Sequence, residues 1–254
     1  MTNPNLTEIV NFLDNYLDPE RIEDVSANGL QVGKEHPVEK AAFAVDASMD
    51  SLIGAKQANA DMLIVHHGIV WGGIKNITGN LYERIKFMMD NEIALYASHL
   101  PLDRHPVCGN NIQIIKLLGI HENVSEFGKY HGNFIGYLGE YDKPKNLQEI
   151  TGEIEEKLNT QCITLKFGGD KIKKVAVVSG GAASIVSEAI EKQIDLYITG
   201  EVKHDIYHLV KESGINVIAA GHYATETTGV RALMEVIKEK FNIDVEFLNI
   251  PTGL

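Results

Sequence analysis

Short apolar runs alternate with longer amphipathic stretches along most of the chain. The runs 40–46 (KAAFAVD), 61–66 (DMLIVH), 92–97 (EIALYA), 173–178, 194–199 (IDLYIT) and 216–220 (NVIAA) are rich in Val, Ile, Ala and Tyr and mostly end in Gly, His or Ser. Runs of this length and composition predict strands. Segments 133–139 and 245–249 are weaker strand candidates. Between the runs, apolar residues recur at helical spacing. Ile9, Val10, Leu13 and Leu17 form one stripe in 5–17, and 49–59, 80–90, 110–119, 147–158, 183–192, 203–212 and 226–240 repeat the pattern. The alternation predicts an α/β fold with mostly parallel sheets, whose right-handed crossovers lay helices on the sheet faces. The polar stretch 121–132 (HENVSEFGKYHG) breaks the alternation and marks a domain boundary, with a second α/β half beginning near Asn133.

A chain of 254 residues can bury a sizeable core, in one large or two small domains. Its 44% hydrophobic and 23% charged residues are ordinary for a soluble globular protein. No apolar run is long enough to span a bilayer, and the acidic, amphipathic N-terminus is not a signal peptide. Cys108 and Cys162 lie far apart, which argues against a disulfide framework and for a reducing cytoplasm. The formal net charge of −12 disfavours broad nucleic-acid binding, because an acidic surface repels phosphate backbones. A metal-lined cavity can still hold a phosphorylated small molecule.

In open α/β sheets, ligands bind beyond the carboxyl ends of the strands. Four strand ends carry chemistry here. In DMLIVHHGIVWGG, His66 and His67 follow an apolar run directly, and neutral imidazole is a good ligand for borderline divalent metals. In ASHLPLDRHPVCGNN, His99, Asp103 and His105 sit in a loop stiffened by Pro101 and Pro106, although Asp103 also suits a turn or cap. In AAGHYATETTG, His222 and Glu226 are four residues apart, a spacing that lets both reach one ion from one helical face. In YITGEVKHDIYH, Glu201, His204 and His208 follow another strand. A metal-bound His usually donates its other N–H to a carboxylate, so Glu201 suits that supporting role as well as a direct one.

Three of these ends, taken through His66, His67, Asp103, His222 and Glu226, offer three imidazoles and two carboxylates, more than one tetrahedral zinc with an open position needs. They suit two divalent ions, which together lower the pKa of a shared water and make a nucleophile at neutral pH. No G-x-S-x-G elbow and no Walker A motif offers another chemistry. SGGAAS at 179–184 reads either as a phosphate cradle or as an ordinary strand-to-helix turn. Asn28 and Gln31, in ANGLQVG, are candidate substrate-binding groups.

The motifs ANGLQVG, VHHGIVWGG, SHLPLDRHPVCGNN, TGEVKH and AGHYATE, in that order from residue 27 to 226, resemble the type 2 GTP cyclohydrolase I family, the Nif-three-like proteins. The resemblance implies metal ligands at His66, His67, Asp103, His222 and Glu226. It implies two α/β domains with the second inserted into the first, here drawn as 1–125 plus 220–254 and 126–219. It implies a ring-shaped homohexamer with metal sites facing an internal cavity. The family name implies opening of the guanine imidazole ring of GTP with release of formate. The expected function is therefore a dinuclear-metal-dependent hydrolase of GTP or another nucleotide or heterocycle, with Glu201 or His208 orienting water or shuttling a proton. The alternative is a non-catalytic, metal-binding hexameric regulatory or interaction protein. His/carboxylate sites accept Zn, Mn, Fe, Co or Ni, so the metal is left open.

Overall fold

In a computed structural model, described for residues 3–74 and 76–254, the chain forms two compact units. The first comprises Met1–Leu102 and Val230–Ile250, the second Asp103–Gly229 and Pro251–Leu254. In sequence the second unit thus lies largely between the two segments of the first. No helix among the described residues is long and apolar enough to cross a membrane.

The first unit is built on a five-stranded sheet. Its strands are β1 (Gly29–Val32), β2 (Lys40–Asp46), β3 (Met62–His67), β4 (Ala94–Ala97) and β11 (Asp244–Phe247), in the order β1-β4-β3-β2-β11. β11, β2, β3 and β4 run parallel, and β1 closes the other edge antiparallel to β4. β3 reads MLIVHH and is buried up to His66, as a strand covered on both faces should be. The unit's helices are α1 (Leu6–Leu17), α2 (Met49–Gln57), α3 (Gly79–Asp90) and, from Val230, the later part of α9 (His222–Phe241). α1 begins at a capping box in which the Asn5 side chain and Glu8 satisfy each other's backbone N–H groups. It buries Leu6, Ile9, Leu13 and Leu17, each contributing roughly 1.5–3 kcal/mol of apolar burial.

The second unit carries a six-stranded sheet. Its strands are β5 (Glu122–Tyr130), β6 (Asn133–Asn146), β7 (Ile163–Lys166), β8 (Lys171–Val178), β9 (Leu196–Thr199) and β10 (Asn216–Ala219). They lie in the order β5-β6-β8-β9-β10-β7. Only β8, β9 and β10 are mutually parallel; β5, β6 and β7 join antiparallel, so this sheet is mixed rather than mostly parallel. α5 (Asn110–Leu117) and α6 (Leu147–Leu158) cover it through a core that includes Ile114, Ile115, Ile150, Ile154, Val175, Val177, Leu196 and Ile198. α7 (Val186–Glu191) and α8 (Tyr207–Ser213) are short, each entered through a 3-10 turn. α4 (Leu100–Arg104) contains the boundary between the two units.

Three strands escape the apolar pattern: β1, β5 and β7. All are antiparallel edge strands. The stretch expected to be a linker, 121–132, is mostly β5. Only Phe127 and Gly128 of that strand are buried, so its remaining positions carry no burial pattern to read.

Candidate metal centre

In the first unit the parallel register assembles a cluster at the carboxyl ends of β2, β3 and β4. Asp46 is aligned with His67, and Val65 with Ala97, so Ser98 comes beside His66. His66 is fully buried, and its Nδ1 lies 2.9 Å from the Ser98 carbonyl oxygen. His67 Nδ1 lies 2.8 Å from Asp46 Oδ1. His99 Nδ1 lies 2.9 Å and 3.2 Å from the two oxygens of Asp24. In each case the acceptor takes an N–H at Nδ1, so the tautomer that keeps this hydrogen bond while binding a metal would use Nε2. One ring nitrogen from each of His66, His67 and His99 lies within 4.8 Å of the others.

Asp24 anchors this cluster. It accepts from Ser26 N, Asn28 Nδ2 and Leu100 N as well as His99. Burial pushes its carboxyl up; the His99 hydrogen bond and charge, with the Asn28 and Ser26 donors, outweigh that and hold it well below the usual carboxylate range. Asn28 also accepts from His99 N at 2.8 Å through Oδ1. Gln31 donates to the Ala27 carbonyl at 2.6 Å and accepts from Ile69 N at 2.7 Å. Both amides therefore brace the backbone around the imidazoles. A Cβ on Gly68 would fall 2.4 Å from the Gln31 amide, so a larger residue there would have to displace that brace.

In the second unit the carboxyl ends of β8, β9 and β10 supply Ser179, Glu201 and the start of α9. That helix begins at His222, four residues before the sequence pattern places it, so His222 and Glu226 stand on successive turns. His222 Nε2 is 3.1 Å from Glu226 Oε1. Its Nδ1 hydrogen bonds to Glu201 Oε1. The Glu226 hydrogen bond is the largest influence on the ring; burial opposes it, the Glu226 charge and Glu201 reinforce it, and the pKa rises to about 9. Gly180 closes over this pair at φ +64°, where a Cβ would meet Glu226 Oε1 at 2.3 Å. Asp103 is buried, and its Oδ1 accepts from Asn110 Nδ2 at 2.9 Å and Ser179 Oγ at 3.0 Å. Asn111 extends this brace by accepting from Ser179 N at 2.6 Å and donating to Ile135 O at 2.7 Å.

Other sequence candidates sit differently. His208 is exposed on α8, edge-on to Tyr207, and makes no hydrogen bond or ion pair among the described residues. His204 is exposed in the turn before α8. His105 Nδ1 accepts from Cys108 N at 3.1 Å ahead of α5, a capping role. In SGGAAS, Ser179 N donates to Asn111 and Gly180 N to Thr225 Oγ1, and the following turn opens only the six-residue α7. Sequence reasoning passed over Asp24, Asp46 and Ser98, and read Ser179 only as part of SGGAAS. Asp46 and Ser179 end or follow apolar strands, so the strand-end rule could have found them; Asp24 lies in a loop with no such signal.

The donors fit divalent metal ions. Neutral imidazoles whose Nδ1 atoms are held by a carbonyl or carboxylate present Nε2 for coordination, the arrangement usual for metal-binding histidines. Buried carboxylates braced by neutral donors, as Asp103 is, complete a borderline nitrogen and oxygen donor set.

Two α/β units, each on a mixed sheet and each with histidines and carboxylates at the carboxyl ends of its parallel strands, define a two-domain α/β protein with His/Glu groups able to hold metal ions. The profile of the Duf34/NIF3 (NGG1p interacting factor 3) family matches residues 4–253, and the chain belongs to that family. It is 51% identical over 248 residues to the GTP cyclohydrolase 1 type 2 homolog of Pyrococcus horikoshii, covering 97% of this chain and 98% of that one. Among solved structures it is similar to TTHA1606 from Thermus thermophilus, at 34% identity and TM-score 0.92, covering 99% of this chain and 100% of that one. It is also similar to protein ybgI, described as of unknown function, at 36% identity and TM-score 0.91 with both chains fully covered.

Proposed function

We propose that the protein is a dinuclear-metal-dependent hydrolase of GTP or another nucleotide or heterocyclic small molecule, with His66, His67, Asp103, His222 and Glu226 as metal ligands. The observation that carries this reading is the common posture of three of these residues. His66, His67 and His222 each have Nδ1 held by an acceptor, respectively Ser98 O, Asp46 and Glu201. When bound, two divalent ions would supply water activation at neutral pH and stabilise the anion that develops on the attacked group.

The chain's own groups do the rest. Glu201 holds the proton on His222 Nδ1 and keeps the ring oriented. Asn110 and Ser179 fix one oxygen of Asp103 and so aim the other. Asn28 and Gln31 would reach a substrate only by exchanging their present hydrogen bonds, so bracing is their first task. Exposed His208 is free to move a proton at the surface of α8. The likeness to GTP cyclohydrolase 1 type 2 homologs makes GTP the first substrate to try. The proposed setting is the cytoplasm and a closed homo-oligomer, a hexamer by family resemblance.

The test is to incubate metal-loaded protein with GTP and follow formate release and loss of the guanine chromophore, with Asp103→Ala as control. Formate from wild type alone supports the reading. Turnover of a different metabolite keeps the hydrolase and discards GTP. No turnover in a broad metabolite screen favours a metal-binding protein without catalysis.

A further inference from the structure

His99 is absent from the five ligands above, yet it has the same posture as His67. A carboxylate takes its Nδ1, at 2.9 Å from Asp24 against 2.8 Å from Asp46 for His67. Its backbone is clamped as well, with His99 N donating to Asn28 Oδ1 at 2.8 Å and the next residue, Leu100, donating its N–H to Asp24 Oδ2 at 3.0 Å. Two side chains thus serve to aim one ring. The ring turns toward His66 and His67, with centroids 5.1 Å and 5.5 Å away and interplanar angles of 53° and 52°. One ring nitrogen of each of the three imidazoles lies within 4.8 Å of the other two, a spacing that a single cation can bridge.

We propose that His99 is a metal ligand, closing with His66 and His67 a three-imidazole face that holds one divalent ion with residues of the first unit alone. The proposal rests on the metal-centre reading above and deepens it. Three imidazoles with one open position form a ligand set used by catalytic zinc, and the set also suits Co or Ni. The pair of ions would then be unequal, one held by a nitrogen-rich face and the other depending on carboxylates.

The protein carries its own reporter. Trp71, the single tryptophan, has its ring centroid 5.1 Å from that of His99 and 5.8 Å from that of His67. Co2+ bound at the imidazole face should quench its fluorescence. The experiment titrates metal-free, full-length protein with Co2+, following Trp71 emission alongside bound cobalt from equilibrium dialysis.

His99→Gln should weaken the quenching ion at least about tenfold, even though the glutamine amide can still donate to Asp24. Asp24→Asn, which keeps the ring but removes its anionic partner, should lose about 10- to 100-fold, the usual cost of removing a group that orients a ligand. His204→Ala should bind as wild type, and His222→Ala should keep the quenching ion. If His99→Gln fails the circular-dichroism check for folding, Asp24→Asn decides the matter. Wild-type Co2+ affinity in both variants, or loss of the quenching ion in His222→Ala, overturns the proposal while leaving the five-ligand reading intact. A wild-type protein that binds no Co2+ overturns the three-imidazole proposal, and one that takes up none of Zn, Mn, Fe, Co or Ni overturns the five-ligand reading as well.

Discussion

Asp46 and His67 occupy paired positions on neighbouring parallel strands, and the carboxylate meets the imidazole Nδ1 at 2.8 Å. The sheet register therefore sets which nitrogen of His67 faces outward, before any ligand arrives. Asp46→Ala removes the acceptor without touching the proposed ligand. Metal affinity should fall about 10- to 100-fold with little change in thermal stability, because the Asp46 side chain is 38% exposed. Calorimetric titration with Zn2+ checks this; an unchanged affinity would mean that the ring is oriented by something else.

Asp24 makes a pH-dependent contribution to stability. Its folded pKa lies below its ordinary value of 3.8. A group depressed in this way stabilises the fold fully above that ordinary value, and the contribution is lost as the pH falls below it. Urea unfolding of wild type and Asp24→Asn should therefore differ most near pH 6, with the gap narrowing below about pH 4. A gap that widens on acidification contradicts the assignment.

Gly180→Ala joins two costs. The backbone sits at φ +64°, and the new methyl would meet Glu226 Oε1 at 2.3 Å. The left-handed conformation alone costs roughly 1–2 kcal/mol for a residue with a Cβ. Displacing Glu226 should also lower metal occupancy. Gly152→Ala, within α6 and with open space around it, is the control and should be neutral or stabilising in denaturant unfolding.

Assembly is the fourth expectation. Trp71, Ile74, Ile77, Tyr82 and Met89 of the first unit are exposed in the single chain. Apolar groups of this number on one segment fit burial between copies. Light scattering should give a hexamer that persists on dilution, and Met89→Glu should weaken it. A stable wild-type monomer rejects the assembly.

The sequence carried the interior strands and the helices well, because strands such as β3 and β9 are buried along their length and read as plain apolar runs. It did not carry β1, β5 or β7, since an edge strand that faces water on most sides needs no apolar pattern. The histidines and carboxylates at strand ends were legible for a related reason: a buried apolar run ending in His, or a His followed four residues later by Glu, is unusual unless something holds those groups. The partners that orient them were harder to see. Asp24 reaches His99 across 75 residues of sequence, and Asn111 reaches Ser179 across 68, and neither pairing leaves a local mark.

The proposed ligands His66, His67, Asp103, His222 and Glu226 would hold two metal ions, a stoichiometry open to direct measurement. Elemental analysis of gently purified protein, repeated after stripping and reconstitution, tests it most directly. Close to two divalent ions per chain are expected, falling in His222→Ala and in Glu226→Ala without unfolding, and unchanged in His204→Ala. A wild-type chain that carries no metal and takes none up on reconstitution would contradict it.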